Sequence, residues 1–137
     1  MDLQALTNSV DTPQRLDLLH PGTGEVLKYG DNDEKVMHLL LFGRDSEVYR
    51  KKQRRLLDIR LKEQTRFRDG KISAAKLESD AVEQLVATTA GGKVFLNGEE
   101  VEVTPDVAKK LYEDRAFSWI KEQAERHIED RQNFLPE

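Results

Sequence analysis

Apolar side chains fall three and four residues apart in the second half of the chain and cluster or alternate over short stretches in the first. The former spacing predicts helices and the latter predicts strands. Leu16 and Leu18, and then Val26, Leu27 and Tyr29, flank His20-Pro21-Gly22-Thr23-Gly24. Proline and two glycines supply the backbone angles of a tight reversal, so residues 15–29 read as a hairpin. Residues 31–34 form an acidic turn. Residues 35–42, Lys-Val-Met-His-Leu-Leu-Leu-Phe, are short, apolar and bounded by turn signals, the pattern of a strand buried on both faces. These strands predict a small antiparallel sheet over residues 14–42. Residues 1–13 are polar up to Pro13 and read as a short helix from Asp2 to Thr7 or as a loose arm.

Gly43 ends the strand, and a long basic helix follows over residues 46–68. Asp45 or Ser46 is placed to cap it by accepting a free backbone amide, and Gly70 is its natural stop. Val48, Tyr49, Leu56 and Ile59, with Leu61 at the margin, fall on one side. Arg50, Lys51, Arg54, Arg55 and Lys62 lie largely elsewhere, and Lys52 sits between. So narrow an apolar stripe predicts a largely exposed helix. Ser73 caps a second helix over 74–88, with Leu77, Ala81, Val82, Leu85 and Val86 inward. Residues 88–92, Thr-Thr-Ala-Gly-Gly, read as a flexible connection. Val94 to Val103 then flank Asn97-Gly98, the preferred pair for a two-residue hairpin turn. Thr104-Pro105-Asp106 opens a short helix ending near Asp114, with a capping hydroxyl, proline in the first turn and a carboxylate at the positive end of the dipole. The last helix spans 116–133, with Phe117, Ile120, Ala124 and Ile128 inward and Trp119 beside them, and ends in Phe134-Leu135-Pro136. The fold class is therefore α+β. It is a mainly helical single domain over 1–137, with the sheet at 14–42, helices over 44–90, and a second hairpin plus C-terminal helices over 93–135.

Charge changes the picture more than composition does. Charged residues make up 35% of the 137 positions, and the net charge is only −4. That small sum hides three blocks. Residues 1–34 carry a balance of −5, residues 44–71 of +6 and residues 72–137 of −6. A basic helix inside an acidic molecule is simply a solvated face, or meets acidic surface on its own chain or a second copy, or faces an anionic partner. There is no cysteine, which excludes disulfides, thiolate metal sites and cysteine nucleophiles. No signal sequence is visible, and Leu39-Leu40-Leu41-Phe42 is too short to span a bilayer, so a soluble, cytoplasmic protein is expected.

The residues offer little chemistry. His20, His38 and His127 are far apart and have no ligand-spaced partner. There is no HExxH, Walker A, GxGxxG or GxSxG motif. Gly91-Gly92-Lys93 lacks the rest of a phosphate loop. Asp31-Asn32-Asp33 lacks the glycine and distal glutamate of a calcium loop, with Phe42 where that glutamate belongs. No enzyme, metal site or cofactor is expected. The basic helix 50–68 raises a nucleic-acid-binding regulator as an alternative, but Asp58 and Glu63 interrupt it and no stacking aromatic accompanies it.

Several segments, in order over about residues 15–135, do carry a resemblance. They are the turn His20-Pro21-Gly22-Thr23-Gly24-Glu25, the step Gly43-Arg44-Asp45-Ser46 into a helix, Leu111-Tyr112-Glu113, Trp119-Ile120-Lys121-Glu122-Gln123, and Asp130-Arg131-Gln132-Asn133-Phe134-Leu135. Together they resemble the tail assembly chaperones of long-tailed bacteriophages and prophages. The chain departs from the family pattern at Val86 to Gly92, where many members carry a tryptophan-containing stretch.

The resemblance implies a non-catalytic protein of the host bacterial cytoplasm that binds the tape measure protein, helps recruit tail tube subunits and is absent from the mature virion. It competes with the nucleic-acid reading and with a minor structural role in the tail or at the head–tail joint. That partner is expected at apolar groups that the fold cannot easily bury and at the basic helix beside them: Tyr49, Arg54, Arg55, Leu56, Trp119, Phe134 and Leu135, with Phe134-Leu135 either exposed or stapling the last helix to the core. The complementary charge blocks add an expectation of a homo-oligomer.

Overall fold

The computed structural model describes residues 2–66 and 73–136. The fold is α+β. A four-stranded antiparallel sheet has the order β1 (Gln14–Asp17), β4 (His38–Leu41), β5 (Thr89–Leu96), β6 (Glu99–Glu102). A separate two-stranded ladder joins β2 (Lys28–Tyr29) to β3 (Lys35–Val36). The helices are α1 (Glu47–Arg66), α2 (Ala74–Thr88), α3 (Pro105–Glu113) and α4 (Ser118–Glu129). Leu39 and Leu41 of β4 and Val94 of β5 meet Val82 and Leu85 of α2, Leu111 and Tyr112 of α3, and Ile120, Ala124 and Ile128 of α4 in one core.

The hairpin expected over 15–29 is only partly present. Its tip turns as the proline and glycines require, with Leu19 bridged to Val26 and the His20 N–H donating to the Glu25 carbonyl. Its arms then separate. The N–H of Leu27 donates to the carbonyl of Leu18, that of Leu18 to Met37, and that of Met37 to Leu27. This closed cycle splits residues 35–42 at Met37, sending β3 to β2 and β4 to β1. Leu18 lies at its centre, fully buried. In β4, Leu39 and Leu41 are buried, while His38 and Leu40 on the other face are only half covered.

The larger correction is at residues 88–92. They are no flexible connection, because α2 passes directly into β5 at Thr89. Gly91 and Gly92 lie opposite Leu40 and Leu39 in the sheet, and a bulge between Leu40 and Leu41 absorbs the change of register. Gly92 has φ +139°, and a side chain there would collide with the carbonyl oxygen of His38. Gly92 permits close approach of β4 and β5, and the pair belongs to a strand rather than a loop. The hairpin at Asn97-Gly98, with both residues at positive φ, extends this same sheet.

Local capping explains most helix boundaries. The Ser73 and Thr104 hydroxyls accept from Lys76 and Val107 N–H. The C-terminal helix is shorter than expected. Asp114 and Asp130 cap one-turn 3-10 segments, Arg115–Phe117 and Arg131–Phe134, that flank α4. A 3-10 turn also covers Leu3–Thr7, and the segment after it is tied down, because Ser9 Oγ donates to the Phe134 carbonyl and Asp11 accepts the Glu47 N–H. The expected helix stop at Gly70 lies outside the described residues. No helix among the described residues is long and apolar enough to cross a membrane.

Candidate binding surface

Helix α1 begins where Gly43 must be small. The Phe134 ring lies so close that a Cβ on Gly43 would approach it to 2.8 Å. Ser46, fully buried, settles the choice of cap: its Oγ donates to the Gly43 carbonyl at 2.7 Å and accepts the Tyr49 N–H at 3.2 Å. Asp45 instead receives Arg131 at 2.7 Å and Arg50 at 3.0 Å. The Arg131 hydrogen bond is the main cause holding the Asp45 carboxyl below its usual range.

Beyond this anchor α1 lies along α2, held at three levels. The Gln84 amide donates to the Tyr49 carbonyl at 3.0 Å, Lys52 pairs with Glu83 at 3.4 Å, and Arg60 reaches Asp80 at 2.6 Å. Lys76, one turn before Asp80, approaches its other oxygen at 3.2 Å. Asp80 is almost wholly buried. Burial alone raises the pKa of its carboxyl, but the bonds from Arg60 and Lys76 outweigh that, and the group is held below the ordinary value. Apolar contact is sparse by comparison. Leu56 is the only buried hydrophobic side chain of α1 among the described residues, and Tyr49 touches the edge of the main core.

The helices therefore meet along a shallow groove of about 360 Å³, with Tyr49, Leu56, Leu57 and Leu77 as apolar lining and Arg54 at its side. The stripe expected on α1 is largely not buried. Val48, Ile59 and Leu61 are exposed, as is Leu77, expected to point inward from α2. Against a single neighbouring helix, α1 has too little surface to cover them.

The expected partner-binding residues separate. Tyr49, Arg54 and Leu56 line the groove. Arg55 is exposed on α1. Leu56 is buried and Tyr49 half buried, so the fold takes up part of what a partner was expected to use. Trp119 is partly buried against the core, edge-on to Phe117 with centroids 6.4 Å apart. Phe134, which the sequence leaves open as a staple for the last helix or as an exposed contact, is buried. Leu135 is exposed beside it, and both line a smaller hollow with Leu6 and Val10. The groove and the C-terminal hollow are distinct places. Sequence reasoning missed Leu57, Leu77 and Asp80. The signal for Asp80 was a carboxylate inside an apolar helical stripe, four residues after Lys76.

The groove's one buried carboxylate is neutralised by two cations, so what the surface offers is apolar contact and positive charge. Among the described residues no three His, Asp or Glu side chains are gathered as a metal site. The chain matches no protein-family model, no curated protein and no solved structure.

Proposed function

We propose that this protein is a phage tail assembly chaperone. It is a non-catalytic binding protein that covers amphipathic helical segments of the tape measure protein in the host cytoplasm, helps recruit tail tube subunits, and leaves before the virion is complete. One observation carries the binding role: Leu57 and Leu77 are exposed and line the groove between the paired helices α1 and α2, with exposed Leu61 one turn beyond Leu57. Exposed apolar side chains concentrated on one pair of elements and rimmed by charge are a feature of interaction sites. A helix pair with a groove between its members suits a helical partner. The ordered motifs from His20 to Leu135 supply the identity of that partner.

Co-expression with the tape measure protein tests the proposal. The expected result is that the tape measure protein stays soluble with this chain and aggregates without it, and that purified particles lack the chain. Unchanged solubility would overturn the chaperone role. Finding the chain in finished particles would favour a structural tail component instead.

A further inference from the structure

We infer that His127 and Phe134 form a proton-sensitive latch: a proton taken up by the imidazole loosens the C-terminal turn Arg131–Phe134 and, with it, the N-terminal segment that this turn holds. The latch does not depend on the binding role proposed above. The two rings meet edge-on, with centroids 5.4 Å apart. His127 Nε2 is buried and has no hydrogen-bond partner among the described residues. A neutral ring meets this by keeping its proton on Nδ1 and leaving a bare lone pair on Nε2. A second proton has to go on Nε2, where it is removed from water and finds no acceptor. Burial accordingly lowers the pKa of the ring.

The charges around the ring do not relieve this. Asp130 opposes the shift, but its Oδ1 is committed to the Gln132 N–H at 3.1 Å, as the cap of the Arg131–Phe134 turn. At the entry to α1, Arg44 pairs with Glu129 at 2.9 Å and Asp45 with Arg131 at 2.7 Å. In the N-terminal segment Asp11 accepts the Glu47 N–H, and on α4 Lys121 pairs with Glu125 while Arg126 is exposed. What the latch holds is fixed by few bonds. The Asn133 amide donates to the His127 carbonyl at 3.0 Å, and the Phe134 carbonyl accepts from Ser9 Oγ. The protonated ring gains water when Phe134 lifts, and the bond to Ser9 goes with it. Lifting also opens the hollow lined by Leu6, Val10, Phe134 and Leu135. The latch is closed while the ring is neutral and loosens as pH falls through and below the ordinary histidine range.

The test follows hydrogen exchange in the full chain, corrected for the intrinsic rate at each pH. The amides of Val10, Thr12 and Asn133 report on the latch, since each is hydrogen-bonded within the segments it holds. Between about pH 7.5 and pH 5 their protection in the wild type should fall by roughly threefold or more, while amides of β4 and β5 keep theirs. His127→Phe keeps an aromatic ring that cannot titrate, and His127→Gln, neutral at every pH, serves if phenylalanine packs badly. In either variant the protection of the three amides should stay level over the same range. The imidazole of the wild type, followed by NMR, should titrate below the ordinary histidine range. An equal acid-induced fall in the variants would assign the effect to carboxylates such as Asp45 and overturn the inference. Unchanged protection in the wild type, or an imidazole that titrates in the ordinary range, would overturn it as well.

Discussion

Asp80 Oδ2 accepts a hydrogen bond from Arg60 Nε at 2.6 Å, joining the far half of α1 to α2 through a carboxylate with almost no exposed surface. Few apolar contacts hold the helices together here, so this bond decides how firmly the groove keeps its shape. Asp80→Ala removes the carboxylate and leaves Arg60 and Lys76, both partly exposed, free to reach water. The expected loss is about 1–3 kcal/mol, below that for a wholly buried pair. Hydrogen exchange should accelerate over residues 57–64 more than in the sheet, because local opening of α1 then becomes easier. Uniform acceleration across the chain would show that the bond supports the whole fold.

The same carboxylate has a pH consequence. Burial raises the pKa of Asp80, and its bonds to Arg60 and Lys76 lower it further than burial raises it. A carboxyl held below its unfolded value contributes stability above that value and loses it as pH falls through the folded one. Asp45, held down chiefly by Arg131, acts in the same direction. Melting temperature should therefore fall on acidification below the ordinary carboxylate range, and less steeply in Asp80→Asn. An equal slope would remove Asp80 from the cause.

At the alkaline end Tyr112 governs. Burial pushes its phenol up to about 12, while its contact with Thr89 at 2.8 Å acts the other way. Thr89 Oγ1 donates to the Leu85 carbonyl, which leaves Tyr112 as the donor to Thr89. A phenol whose folded pKa exceeds the unfolded value of about 10 contributes stability below that pH and loses it as pH rises through the folded value. Ultraviolet titration should show one tyrosine ionising only near 12, and Tyr112→Phe should abolish that step at a cost of about 1 kcal/mol. A late step that survives in the variant would belong to Tyr29 or Tyr49, both also raised by burial.

What the sequence discloses follows how local the governing physics is. Asn97-Gly98, Ser73 and Thr104 act on backbone within a few residues, so the hairpin and two helix starts are legible. The junction of Leu18, Leu27 and Met37 is not, because three separated segments exchange one hydrogen bond each, and alternation alone cannot say which strand β1 chooses. Gly91-Gly92 shows the same limit. A pair of glycines spells a loop locally, whereas here they lie in a strand and the strand opposite requires glycine at position 92. On α1 the pattern correctly indicated an exposed helix. It named Leu56 as available when that residue is buried, and passed over Leu57, which is exposed, because helical phase alone does not locate the neighbouring helix.

The two glycines can be separated by experiment. Gly92→Ala places a methyl against the His38 carbonyl and 2.8 Å from Leu39 Cα, at a φ that alanine rarely adopts. The expected cost is about 2–3 kcal/mol or more. In Gly91→Ala the nearest atom is Leu40 Cδ1 at 3.8 Å, an ordinary contact, and φ is not positive. That variant should melt within a few degrees of wild type. Equal destabilisation of both would mean that the β4–β5 crossing is not held at Gly92.

The C-terminal motif gives opposite results if it serves a partner or if it holds the fold. Phe134 is buried, its ring lies over Gly43 and meets His127 edge-on at 5.4 Å, and its carbonyl accepts the Ser9 hydroxyl proton. It thus ties the N-terminal segment, the start of α1 and the end of α4 together. Phe134→Ala, or truncation after Asn133, should cost about 3 kcal/mol, roughly 10 °C in melting temperature for a chain of this size. Leu135→Ala removes an exposed side chain and should change stability by less than about 0.5 kcal/mol. His127 supplies an independent readout. Burial lowers its pKa, and Asp130 opposes that shift. A histidine held below its unfolded value contributes stability that is complete above that value and declines as pH falls toward the folded one. Removing the Phe134 ring opens His127 to water, so its titration, followed by NMR, should move up toward the ordinary range while the melting temperature drops. If truncation leaves both unchanged, Phe134 is no staple, and the end of the chain becomes available to a partner.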